Sequence, residues 1–347
     1  MLDINVLVWR LRQLNCPQDF VACVLLIFWT YTLTQDFEYH EFYAGVGNLC
    51  RQARACGYKA LRFDILDNVK PHDRKTNFMD INSPSGFALA MVSLLRARAG
   101  DFSAHFALKC ASFCKMNVGT SKRSPCSSTG FTDYKSVSDS NRMAERTCLL
   151  ILLCTALQGA WTLEQPDGSV LEFLPAFRTM LQSIFACGGV HAVAKVKWWM
   201  QHYQGPTPKR HYGYSNSREV LTLDKGKLKK HQRKPKDQRI RTADVYKDGN
   251  GVKRYKGNAN LRPTQIYPMP FARHLIDRLE SMKASCKGAP TLPTEVPDAK
   301  DSFTQWTVVN SEDWQFSAMA EVFQYLRGNR HLDIPQQWRG IIPDRLG

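Results

Sequence analysis

Glu41-Phe42-Tyr43-Ala44-Gly45-Val46-Gly47-Asn48-Leu49-Cys50 is followed, after Gly57, by Tyr58-Lys59-Ala60-Leu61-Arg62-Phe63-Asp64-Ile65. The order reads as strand, glycine turn, helix, second strand and terminal carboxylate. Such a unit constrains the fold, because a strand that returns through a helix joins a parallel sheet. Gly45 and Gly47 can take dihedrals closed to other residues and let backbone approach a ligand. The turn delivers that ligand to the N-terminus of the helix carrying Arg51, Ala53 and Ala55. Asp64 stands 19 positions after Gly45, the distance at which a carboxylate can hold ribose hydroxyls. A dinucleotide site prefers a third glycine where Cys50 stands, which counts against NAD or FAD. The competing reading is a tight turn with no ligand, and the well-spaced carboxylate weighs against it.

The rest of the chain alternates in the same way. Helices are expected over 84–98, 141–157 and 171–186, and strands over 102–108, 160–163 and 190–196. The fold class is therefore α/β, a mostly parallel sheet with helices on both faces. Ligands gather at the carboxyl ends of such strands. Gly45, Asp64, Cys110 and Glu164 fall at those ends. The apolar run from Phe20 to Leu33 spans 14 residues, short for a membrane span of about 20. It reads as a buried helix, with a signal anchor as the minority alternative.

Charge is unevenly placed. From Lys195 to Arg262 there are 19 Lys and Arg against 5 Asp and Glu, a local +14 within a net +16. Such asymmetry points to a polyanionic partner, DNA or RNA. Lys209, Arg210, Lys225, Lys227, Lys229, Lys230, Arg233 and Lys234 are the candidate phosphate contacts. Trp198, Trp199, Tyr203, Tyr212, Tyr214, Tyr246 and Tyr255 are interleaved with the basic residues, as base-stacking surfaces require. A solvated basic loop is the plain alternative. Asp248-Gly249-Asn250-Gly251 signals a hairpin. The 11 cysteines are odd in number and scattered, which fits a reducing, intracellular compartment, nuclear or cytoplasmic. Cys110, Cys114 and Cys126 match no common zinc spacing, so no metal is expected.

The glycine turn resembles motif I of the class I S-adenosylmethionine (SAM) methyltransferases, in which an acidic or aromatic residue precedes Ala-Gly-x-Gly. More distantly, residues 40–280 resemble the DNA cytosine-C5 methyltransferases. Phe42-Tyr43-Ala44-Gly45-Val46-Gly47 looks like their cofactor loop, and Phe78-Met79-Asp80-Ile81 like their Gly-Asp-Ile segment. Cys110-Ala111-Ser112-Phe113-Cys114 sits where they carry Pro-Cys-x-x-x-Ser. Leu163-Glu164-Gln165-Pro166 is similar to their Glu-Asn-Val segment, and Gly257-Asn258-Ala259 to their final motif. The chain departs from the pattern at Lys109, which replaces the Pro, and at Gln165-Pro166. It has no Gln-x-Arg-x-Arg segment, although Lys209-Arg210 lies nearby in order.

The resemblance implies a Rossmann-like fold that binds SAM through Phe42, Ala44, Gly45, Gly47, Asp64, Ile65, Asp80 and Ile81. It implies Cys110 as a nucleophile and Glu164 as an acid at the base. A thiolate beside Lys109 and Lys115 suits the first role. An ordinary buried cysteine and a turn carboxylate are the bland counterparts. The expected organisation is an apolar helix (1–38), a SAM-binding core (39–202), a basic hairpin insert (203–260), a helix returning to the core (261–284), and a Pro-rich linker with a helical tail (285–347). The expected activity is methyl transfer to a nucleobase. The alternatives are a protein or small-molecule methyltransferase, and a non-catalytic nucleic-acid-binding relic.

Overall fold

The computed structural model describes residues 2–68, 79–229, 232, 235, 239–287, 311–328, 341–342 and 346. Two helices, α1 (Ile4–Gln13) and α2 (Gln18–Thr30), precede β1 (Tyr39–Phe42). Helix α3 (Asn48–Ala55) leads to β2 (Ala60–Phe63), and α4 (Pro84–Leu95) to β3 (Ser103–Phe106). The short α5 (Val118–Ser121) and long α6 (Lys135–Ala156) precede β4 (Ala160–Pro166). Helix α7 (Pro175–Gly188) is followed by β5 (Ala194–Trp199) and β6 (Arg210–Ser215). A hairpin of β7 (Ala243–Lys247) and β8 (Lys253–Gly257) comes next, then α8 (Met269–Ile276), α9 (Leu279–Lys287) and α10 (Met319–Arg327).

The protein is α/β, with a six-stranded, mostly parallel central sheet in the order β2-β1-β3-β4-β6-β5. Strands β1 to β4 are parallel. Strand β6 is antiparallel to both its neighbours, β4 and β5. Phe63, Phe42, Phe106 and Leu163 form one row across four strands. The Phe42 and Phe106 rings stack at 4.9 Å. Their burial anchors the sheet against α2, α4, α6, α7 and α10 on one face. On the other face α3, α8 and α9 cover Tyr39, Val196 and Trp198. The residues just past the aromatic row are Tyr43, Asp64, Ala107 and Glu164, so the register itself lines up the carboxyl edge.

Several expectations need correction. The segment assigned to a basic insert contains β6, a buried strand threaded between β4 and β5. The aromatics expected to stack on bases are not a free surface there: Trp198, Tyr203, Tyr212 and Tyr214 are buried. Alternating aromatics and cations mark a strand as readily as a binding face, because both place every second side chain on one side. Tyr246 and Tyr255 do stand exposed on the β7–β8 hairpin. Glu164 lies within β4 rather than after it, because pairing with β6 carries the strand through Pro166. Helix α6 begins at Lys135, six residues before the expected start at 141. The apolar run is α2, buried against α4 and α10. Among the described residues no helix is long and apolar enough to cross a membrane.

The tail is part of the core. Glu145 and Arg146, adjacent on α6, hold it through Phe316 N–H at 2.9 Å and the Ser317 carbonyl at 2.9 Å. The Pro-rich linker around Pro290 to Pro297 lies outside the described residues.

Candidate functional site

The glycine turn is built where β1 ends. Gly45 and Gly47 have φ of +53° and +73°, and Tyr43 between them and the strand also has a positive φ, +60°. Gly47 N–H closes the turn on the Ala44 carbonyl at 2.7 Å. Asp64 Oδ2 accepts from Gly45 N–H at 2.8 Å, and Oδ1 from Leu66 N–H at 2.9 Å. The carboxylate expected to face a ribose thus also braces the turn, and its oxygens retain further lone pairs. Arg62 flanks the turn, reaching the Gly45 carbonyl at 3.3 Å and pairing with Asp67. A Cβ at Gly45 would meet no atom within 4 Å. The turn is open on that side.

Glu41 lies behind the turn, fully buried in β1. Its Oε2 accepts from Cys50 N–H at 2.7 Å, at the first turn of α3. Burial pushes the carboxyl up to about 7 against the hydrogen bonds from the Cys50 and Leu49 amides. Its Oε1 has no hydrogen-bond partner in the protein.

The other expected cofactor residues are distributed as follows. Phe42 is core, so its side chain is not available to a ligand. Ala44 is half-buried in the turn, and Ile65 is exposed just past Asp64. Asp80 accepts from Asn82 N–H at 2.9 Å. Ile81 is buried, and its carbonyl accepts from Arg146 at 2.7 Å. Gly86 permits this packing, because a Cβ there would sit 2.0 Å from the Asp80 carbonyl oxygen. Phe78 lies outside the described residues.

The structure brings Cys110, Glu164 and Lys209 together. Cys110 follows β3, Glu164 is in β4, and Lys209 precedes β6. A hydrogen bond from the Cys114 thiol lowers the Cys110 pKa; burial opposes this, and the Lys209 charge assists it. The helpful cation is therefore Lys209, whereas Lys115 lies along Gly168. Lys209 and His211 are two residues apart, so they share a face of the extended chain.

Glu164 is the most constrained group of the cluster. His211 Nδ1 bonds to Oε1, and the Tyr267 hydroxyl donates to Oε2 at 2.8 Å. Burial would raise Glu164, but His211, Lys209 and Tyr267 hold it down at about 2. Tyr267 in turn meets His105 Nε2 at 3.1 Å. Since Tyr267 spends its proton on Glu164, His105 must donate, which fixes its Nε2–H tautomer. Burial lowers His105 to about 4, so the ring is neutral. Asn48, at the start of α3, donates to the Tyr267 carbonyl at 2.7 Å. Tyr267 thereby joins the start of α3, just past the glycine turn, to Glu164. The sequence pointed to neither His105, Tyr267 nor His211. For His211 the signal was there: Lys-x-His in a strand alternates as an Arg-x-Arg pair would.

The expected phosphate contacts divide. Arg210 leaves the cluster, lying over Trp199 at 5.4 Å and near Asp167 at 3.7 Å. Lys225 Nζ sits 4.0 Å over the Tyr203 ring. Lys227 and Lys229 are exposed. Lys230, Arg233 and Lys234 lie outside the described residues. Among the described residues, no three His, Cys, Asp or Glu side chains are grouped to hold a metal ion. No protein-family model, curated protein or solved structure matches the chain.

Proposed function

We propose that this protein is a SAM-dependent methyltransferase acting on a nucleobase in DNA or RNA. One observation carries the reading. The glycine turn with its Asp64 brace lies at the carboxyl edge of the same sheet that gathers Cys110, Glu164 and Lys209. The sheet order supports it by analogy of fold: a single reversed strand sits between the last two parallel ones, as in class I methyltransferases. Fold alone names no chemistry, so the site must.

SAM would lie on Gly45 and Gly47 near Asp64, and it supplies an electrophilic methyl group. The protein's part is to activate the base. Cytosine C5 is too weak a nucleophile until a thiolate adds to C6. Cys110, with Lys209 favouring its thiolate, suits that step. A proton or hydrogen bond must reach N3 as charge builds there. Glu164 alone, held near 2, is a poor acid at neutral pH. The Nδ1–H that His211 directs at Glu164 is the donor within reach instead. A target base in a duplex must leave the stack to reach this cluster. The basic surface at Lys225, Lys227 and Lys229 would hold the backbone.

The test has two stages. Calorimetry with SAM, S-adenosylhomocysteine and NAD should show binding of the first two only; binding of none removes the cofactor assignment. Nucleic acid containing 5-fluorocytosine should then trap a covalent complex, because fluorine cannot leave as a proton. Cys110→Ser should lose the trap and Cys114→Ser keep it. Methyl transfer that survives Cys110→Ser would exclude addition by this thiol. A second reading, a non-catalytic nucleic-acid-binding domain, draws on the fact that both Glu164 oxygens already have partners. Salt-dependent nucleic-acid binding without SAM binding would select it.

A further inference from the structure

Where the C5 methyltransferases carry a serine, this chain has Cys114, and the substitution places a second thiol beside the candidate nucleophile. Phe113 N–H and Cys114 N–H both donate to the Cys110 carbonyl, at 2.9 and 3.0 Å. The segment is thus one turn of helix-like chain. Residues one such turn apart stand about 6 Å apart at Cα, within the roughly 4.4–6.8 Å that a disulfide spans. Each thiol is near enough to act on the other's titration, Cys110 being lowered and Cys114 raised. The residues between them are pinned. Arg123, itself buried, donates from Nε to Ser112 Oγ at 3.0 Å and lies 4.1 Å from the centre of the Phe113 ring. Both residues are half-buried, whereas Cys16, Cys23, Cys50, Cys148 and Cys154 are buried.

We propose that Cys110 and Cys114 form a reversible dithiol–disulfide pair, a redox modification site beside Glu164 and Lys209. The oxidant is a low-molecular-weight disulfide such as glutathione disulfide. The Cys110 thiolate attacks one of its sulfurs, making a mixed disulfide and releasing one thiolate. Cys114 then loses its proton to solvent and attacks the Cys110 sulfur. The protein disulfide forms and the second small thiolate leaves. Two protein thiols are oxidised by two electrons, and the small disulfide is reduced to two thiols. Lys209 speeds the first step by favouring thiolate at Cys110. The pair stands whatever the protein's activity. Only its consequence, that oxidation removes the nucleophile, rests on the methyltransferase reading.

Mass spectrometry of the full chain tests this directly. Cleavage after Lys109 and Lys115 releases Cys110–Lys115, which holds both sulfurs and no other cysteine. After equilibration with glutathione disulfide and quenching with iodoacetamide, this peptide should be unalkylated and lighter than the dithiol by two hydrogens. Dithiothreitol should restore the doubly alkylated form. In Cys114→Ser the same peptide should keep a glutathionyl group on Cys110, because no thiol remains to resolve it. The exposed Cys56 and Cys126 report that the oxidant is active. A doubly alkylated peptide while Cys56 is glutathionylated would overturn the proposal. So would a mixed disulfide that persists in the wild type. The readout needs neither SAM nor nucleic acid, so its failure is separate from failure of the cofactor assignment.

Discussion

Tyr267 and Glu164 are joined by a 2.8 Å hydrogen bond although 103 residues separate them. The bond closes a chain that runs from His105 through Tyr267 and Glu164 to His211. Each member fixes the next: Tyr267 sets the His105 tautomer, and two donors hold Glu164 ionised inside the protein. A buried polar chain of this kind is costly when one link is removed.

Tyr267→Phe should therefore destabilise the fold by about 1–3 kcal/mol, since it leaves the His105 N–H and a Glu164 oxygen short of a partner. Urea unfolding at neutral pH measures the change. The Glu164 carboxyl should also titrate higher in the variant, as read by carbon NMR. A variant as stable as the wild type would mean that water replaces the hydroxyl.

The two glycines of the turn should behave differently. Gly45→Ala meets no atom within 4 Å, so its cost is the left-handed backbone alone, roughly 1–2 kcal/mol. The protein should fold, and SAM affinity should fall because the new methyl occupies the approach to the turn. Gly47→Ala places its methyl 3.2 Å from Arg62 Cδ and should lose more stability. Thermal unfolding paired with calorimetry separates the effects. Equal SAM affinity in a folded Gly45→Ala protein would move the ligand away from this turn.

Acid should weaken the protein through its buried histidines. Burial lowers both His40 and His105 to about 4, below the 6.5 of the unfolded chain. Between those values the unfolded state holds a proton that the folded state does not. Stability is thus intact above 6.5 and falls as pH drops toward 4. Each histidine should cost about 2 kcal/mol between about pH 7.5 and about pH 5. Urea midpoints at the two pH values, for wild type and His105→Gln, check this. The variant should show a shallower fall, and an unchanged slope would place the acid sensitivity elsewhere.

The exposed lysines Lys225, Lys227 and Lys229 should act on nucleic acid through charge. Changing all three to Gln should weaken binding alike for every base sequence. The plot of log affinity against log salt should flatten by about 0.7–0.9 for each phosphate that is no longer neutralised. Filter binding across a salt series measures it. An unaltered slope would leave these residues as solvated surface.

Much of the first βαβ unit was legible, because its rules are local. A strand end, two glycines and a carboxylate 19 positions on are decided by neighbouring residues, and Gly45 N–H does meet Asp64. Helices α2, α4 and α7 were visible in their apolar patterns. Strand β6 was misread, because a buried strand entered through Lys209 and Arg210 has the composition of a surface segment. Tyr267 was invisible for another reason. It follows a basic hairpin in the chain, and only the packing of α8 against α3 brings it to Glu164.

By itself, then, the sequence determined the α/β class, the glycine turn with its carboxylate, and the basic bias of one segment. All three follow from periodicity, backbone sterics and charge within a few residues. The tertiary structure decided which groups meet. It brought the Lys209 charge to bear on Cys110, buried Phe42 away from any ligand, and coupled Glu164 to His211 and Tyr267. Strand register and helix docking make those choices. They are summed over the whole sheet, where a shift of one residue turns every side chain to the opposite face.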